Sequence, residues 1–214
     1  MSKKIKELEI RLNQLGDYFI QGPEANQDEI RAYVLLVHAE IESYFEDITK
    51  EIADNAYTNW NSNRTLSTAL VSLALYSECG FEKVKIELIN LIGQNNNRMN
   101  VILKQALNSF IINIDRRNGI KDVIEKYHVI VKDNNGIKEV DLLRLLLPIG
   151  VDLMVVEDNW LADLNQFGTR RGNIAHQSHT KAKEILYPLS QKKLVERILH
   201  GIKDLDKALI KLYK

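Results

Sequence analysis

Apolar residues return along this chain at steps of three and four, the spacing that lays them on one stripe of an α-helix. Ile5, Leu8, Leu12, Leu15 and Phe19 form the first stripe, and Gly22-Pro23 stops it. Asn26 followed by Glu29 has the form of a capping box and predicts a long helix from there to about residue 57. Tyr33, Val34, Val37, Ile41, Tyr44, Phe45, Ile48 and Ile52 share one broad arc of it. Asn59-Trp60-Asn61-Ser62-Asn63 reads as a turn, and Thr65 as the cap of a short apolar helix through Tyr76.

A charged helix is expected over about 81–92, a loop at Gln94-Asn95-Asn96-Asn97, and a further helix carrying Val101, Ile102, Leu107, Phe110, Ile111 and Ile114. Near Tyr127-His128-Val129-Ile130-Val131 the β-branched content rises over a length marginal for a strand. Asp133-Asn134-Asn135-Gly136 then turns the chain. Leu142, Leu143, Leu145, Leu146 and Leu147 predict a helix broken at Pro148 and Gly150. Residues 151–167 read as another, with Leu153, Val156, Trp160, Leu161 and Leu164 inward, closed by Gly168. Thr169 is placed to cap the helix after that. Pro188 and Ser190 introduce the last, on the stripe Leu194, Ile198, Ile202, Leu205, Leu209 and Leu212. The pattern is all-α, with no substantial sheet. Without an internal repeat or a Pro/Ser-rich linker, it reads as a single domain over 1–214, with 1–22 as an N-terminal appendage.

Composition narrows this little. Apolar residues make up 45% of the 214 and charged residues 27%, a globular balance. Twenty-nine basic side chains match twenty-nine acidic ones, so binding to nucleic acid has to come from a local patch. The one cysteine, Cys79, cannot form an intrachain disulfide and reads as a small buried side chain, consistent with a reducing compartment. No stretch approaches the ~18 apolar residues of a membrane span, so a cytoplasmic protein that leaves the membrane alone is expected.

Two constellations could carry chemistry. On the long helix Arg31, His38 and Glu42 fall within roughly 40° of one another at about 100° per residue. They form either a catalytic face or a solvated stripe in which His38 and Glu42 pair at i, i+4. The second is Phe167-Gly168-Thr169-Arg170-Arg171-Gly172-Asn173-Ile174-Ala175-His176-Gln177. A guanidinium grips phosphate through a planar fork of donors, and an imidazole moves a proton near neutral pH. The bland alternative is that Arg171 and His176 cap or bridge helices. Arg98, Lys104, Arg116 and Arg117 are further bases that could meet a phosphate backbone.

Arg171-Gly172-Asn173-Ile174-Ala175-His176 matches the arginine, four-to-six residues, histidine motif of HEPN-domain proteins. Ala32-Tyr33-Val34-Leu35-Leu36-Val37-His38-Ala39-Glu40-Ile41-Glu42-Ser43-Tyr44 resembles the first long helix of the RiboL-PSP type of that family. Asn135-Gly136-Ile137-Lys138 with Leu146-Leu147-Pro148-Ile149-Gly150, and Leu164-Asn165-Gln166-Phe167-Gly168 leading into the motif, are similar to its later regions. The resemblance covers about residues 28–212. It implies a HEPN-like helical bundle with additional peripheral helices. It also implies a metal-independent endoribonuclease acting as a homodimer, in toxin–antitoxin or phage-defence settings.

By that resemblance Arg171 and His176 are the catalytic pair. Asn173, Arg170, Glu42 and His38 are the supporting candidates, with Arg31 and Arg170 for holding substrate. No cofactor and no metal are implied. The partners implied are RNA, a second copy meeting through the Arg171–His176 region, and an antitoxin or defence-system protein. Five helical residues separate two side chains by about 140°, so the pair converges only if Arg171 stands at a helix entrance or two copies pool their motifs across a two-fold axis. Two positions depart from the family pattern. Gly172 stands where a polar residue often follows the arginine, and Ser178 where some toxins carry a tyrosine that a partner nucleotidyltransferase modifies.

Overall fold

The computed structural model describes residues 2–22, 25–79, 117–152, 157–176 and 185–213. Among them the chain forms seven helices and no strand, which is the all-α pattern expected. They are α1 Lys3–Phe19, α2 Gln27–Asn63, α3 Thr68–Cys79, α4 Arg117–Lys132, α5 Glu139–Leu146, α6 Asp158–His176 and α7 Pro188–Lys211. The helices expected over 81–92 and 101–114, the asparagine run, Arg98, Lys104, Arg116, Ser178, Leu153, Val156 and the side chains of Cys79 and Arg117 lie outside the described residues. No helix among those described is long and apolar enough to cross a membrane.

Contacts sort the chain into two compact units: Met1–Phe45 with Asn135–Glu139 and Met154–Ile210, and Glu46–Asn134 with Val140–Leu153 and Lys211–Lys214. Residues 1–22 fall in the first unit. Ser2 caps α1, its Oγ accepting the Ile5 N–H at 3.2 Å, and Ile5, Leu8, Leu12 and Leu15 are buried as their spacing requires. The cap is itself held by the fully buried Asp206 on α7. That carboxylate accepts the Ser2 N–H at 2.8 Å and the Tyr44 hydroxyl at 3.1 Å. A buried carboxylate without such donors would cost on the order of several kcal/mol.

In the same unit, α2 opens with the reciprocal cap read from the sequence. The Asn26 N–H donates to Glu29 at 3.1 Å while Asn26 Oδ1 accepts the Asp28 N–H at 3.0 Å. On α7, Leu194, Ile198, Ile202, Leu205 and Leu209 are buried, and Pro188 starts the helix where its missing N–H costs nothing. Gly201 lets α7 come down on Trp160 of α6, since a Cβ there would fall within the indole ring. The Trp160 Nε1–H donates to the Ile198 carbonyl at 2.9 Å.

The second unit corrects two expectations and decides a third segment. Residues 59–63 are helical rather than a turn: Thr58 and Ser62 hydroxyls fold back onto the carbonyls four residues earlier, and α2 ends only at Asn63, followed by Arg64 in the left-handed region at φ 58°. The cap of α3 is Ser67, whose Oγ accepts the Leu70 N–H at 3.2 Å, and not Thr65. The segment from Tyr127 to Val131 is the end of α4. Ile120, Val123, Ile124, Tyr127, Ile130 and Val131 are buried at helical spacing, so packing overrides β-branching. The Tyr127 hydroxyl donates to the Leu145 carbonyl at 2.7 Å.

Candidate functional site

α6 runs unbroken from Asp158 to His176, so Gly168 does not close a helix and Thr169 does not cap one. Gly168 is there for a different reason: the stem of Lys138 crosses α6 at this point, and a Cβ on residue 168 would sit 2.8 Å from Lys138 Cγ. The loop carrying Lys138 is fastened next to it by Asn165, which accepts the Glu139 N–H at 2.9 Å and donates to the Glu139 carboxylate at 3.2 Å. Arg171 therefore stands inside a continuous helix, not at its entrance. Trp160, Leu164 and Phe167 are the buried stripe of α6, and Arg171 extends that stripe by one turn.

Arg171 is half-buried and His176, the last helical residue, is exposed. Neither has a hydrogen bond or ion pair among the described residues. Their side chains leave α6 about 140° apart and do not converge within one chain. His176 shares its side of the helix with Thr169 and Asn173, all three within about 60°. Asn165, Gln166, Thr169, Arg170 and Asn173 line a shallow groove of about 390 Å³ along this side. The Arg170 guanidinium is aimed by Gln191 of α7, a buried side chain whose Oε1 accepts from Nη1 at 2.8 Å.

The row on α2 has a different character. Arg31 is paired with Asp28 at 3.1 Å. His38 is only 2% exposed, its Nδ1 3.5 Å from the Glu42 carboxylate, itself 16% exposed. That row is sunk rather than solvated, and it shares no hydrogen bond or ion pair with Arg171 or His176. A larger cavity of about 860 Å³ lies between the first half of α6 and α7. Its carboxylates Glu157, Asp163, Glu196 and Asp204 outnumber the cations Lys193 and Arg197, the wrong balance for a phosphate. The Arg197 fork is moreover taken by Asp163, at 2.7 and 2.8 Å. Among the described residues no group of three or more His, Cys, Asp or Glu side chains is arranged to hold a metal ion.

Sequence reading gave Lys138, Gln166 and Thr169 no part in the chemistry of the motif. The signal was present in the helical spacing 166, 169, 173, 176, but breaking the helix at Gly168 divided it. It also passed over Ile185, Tyr187 and Leu189, which are 66%, 67% and 54% exposed at the start of α7.

The family model of RiboL-PSP-HEPN matches residues 2–211, and the chain belongs to this family. No curated protein and no solved structure matches it.

Proposed function

Taking a RiboL-PSP-type HEPN chain as the premise, we propose that this protein is a metal-independent endoribonuclease, active as a homodimer and serving as a toxin or phage-defence effector. One observation carries the reading: Arg171 and His176 end α6 without ionic or hydrogen-bonded partners among the described residues. A guanidinium half-buried beside an apolar stripe and left unpaired is costly unless an anion completes it. A ribose–phosphate backbone is such an anion.

The chemistry follows from the groups. His176 assists attack of a ribose 2′-hydroxyl on the adjacent phosphorus, and an arginine fork stabilises the charge on the phosphorane. The 2′-oxygen–phosphorus bond forms and the bond to the 5′-oxygen breaks. The proton ends on that oxygen, leaving a 2′,3′-cyclic phosphate and a 5′-hydroxyl. DNA lacks the nucleophile and stays intact.

The 140° between Arg171 and His176 favours an isologous pair, in which each copy supplies what the other's helix turns away. Arg170 meets Gln191 and Asp163 meets Arg197, so α6 and α7 run antiparallel and residues 185–189 stand beside the His176 end. Ile185, Tyr187 and Leu189 there are the apolar surface such a contact needs. Leu186 between them is tethered by the Gln27 amide, which both donates and accepts at 2.9 Å.

Purified protein is expected to cut RNA in EDTA, and Arg171→Ala and His176→Ala each to stop the cutting while melting as the parent does. Unchanged cleavage by both variants sinks the assignment. The same 140° supports a second reading, a HEPN dimer that holds RNA or a protein partner without chemistry. Retention of RNA with no product at high protein concentration selects it.

A further inference from the structure

We infer that the groove along α6 beside His176 is a nucleotide subsite that selects adenine next to the cleaved linkage; this rests on the RNA reading above. Its two margins are both fixed. On one side Asn165 ties α6 to Glu139, and Lys138 lies across Gly168 with its ammonium exposed and without an ion pair among the described residues. On the other, Gln191 fixes Arg170. Cations therefore bracket the groove, where phosphates on either side of one nucleotide would lie.

The floor between them is uncharged. Gln166, Thr169 and Asn173 are exposed, and none has a hydrogen-bond partner among the described residues. Two amides and a hydroxyl held in a groove of about 390 Å³ suit a single base rather than a duplex. A carboxamide presents one donor beside one acceptor. Adenine answers that pair on both of its open edges, because N6–H₂ lies between the acceptors N1 and N7. Cytosine (N4–H₂ beside N3), uracil (O4 beside N3–H) and guanine (O6 beside N1–H) answer it on the Watson–Crick edge alone, so only adenine engages two carboxamides at once. Position on the helix puts this floor in register with His176, so a base held there fixes which linkage reaches the imidazole.

The test uses fluorescently tagged oligoadenylate, oligouridylate and oligocytidylate pentamers, with full-length His176→Ala protein to prevent cutting. Anisotropy titrations are expected to give oligoadenylate about tenfold tighter binding than either pyrimidine oligomer, the discrimination of one good amide–base pair. Gln166→Leu together with Asn173→Leu, both at exposed positions, is expected to abolish that preference with the melting temperature kept. Equal binding of the three oligomers overturns the inference, as does no binding at all or a preference that survives the double variant. Sequencing the ends made by unmodified protein separates this from the nuclease reading. Cleavage that ignores the neighbouring base, unchanged in the double variant, removes the subsite and leaves the nuclease. An adenine preference in binding with no RNA ever cut removes the nuclease and leaves the subsite.

Discussion

His38 and His176 sit on two long helices of the same unit, each with polar neighbours one turn away, yet their surroundings are opposite. His38 is 2% exposed, on the buried side of α2, with Glu42 drawn to within 3.5 Å of its ring. His176 is exposed at the last turn of α6, and no carboxylate among the described residues pairs with it. Arg31 and Arg171 repeat the contrast, one neutralised by Asp28 and the other left open. Residue types alone make the two rows equivalent. Reagent access and spare valence do not, and these are what a proton shuttle for a macromolecular substrate needs.

Removing each imidazole separates the two roles, and the largest effect is expected at α6. His176→Ala should lower RNA cleavage by about 10²–10⁴-fold, the range for loss of a positioned acid–base group, with the thermal midpoint unmoved. Single-turnover cleavage of a short RNA, followed beside a thermal melt, reads both. A drop of only a few-fold would mean that His176 merely assists binding, and the contrast with His38 would lose its catalytic half.

At α2 the effect should be on stability instead. His38→Ala removes a buried side chain and is expected to cost about 1–3 kcal/mol. His38→Leu keeps most of the volume and discards a buried polar atom that has no hydrogen-bond partner at Nδ1, so it should cost less or even stabilise. Both variants should cleave at the parental rate per folded molecule, measured at a temperature where each is fully folded. A His38→Leu protein that melts normally but cuts slowly would move the α2 row into the site.

The difference between the rows explains how far sequence can go. The stripes of α1, the long apolar arc of α2 and the stripe of α7 from Leu194 to Leu209 are legible, because burial on one side of a helix forces period 3.6. The motif at Arg171 and His176 is legible too, as a pattern of types. What stays hidden depends on tertiary contacts. Gly168 has the look of a helix end, and only Lys138 lying over it explains the missing side chain; that misreading divides the groove-lining face of α6. Ser67 and Thr65 are equally good caps by composition, and only the geometry of the turn chooses Ser67. His38 and Glu42 at i, i+4 are also compatible with either a wet or a dry face. The arc they occupy borders the apolar one, and nothing local says which side of that border is covered.

Gly172 offers the smallest and most discriminating perturbation of the α6 side. It lies inside the helix, immediately after Arg171, and a Cβ placed there meets nothing within 4 Å. Glycine in a helix interior is less stable than alanine by about 0.5–1 kcal/mol, so Gly172→Ala should raise the melting temperature by about 1–4 °C. If RNA and the second copy approach only through the Thr169–Asn173–His176 face and the Arg171 edge, cleavage by this variant stays within about twofold of the parent. A more stable protein that no longer cuts would show that the open space at residue 172 is filled in the working complex. The glycine would then be a place of close approach, and the functional surface of α6 would extend round the helix from His176 toward Arg171.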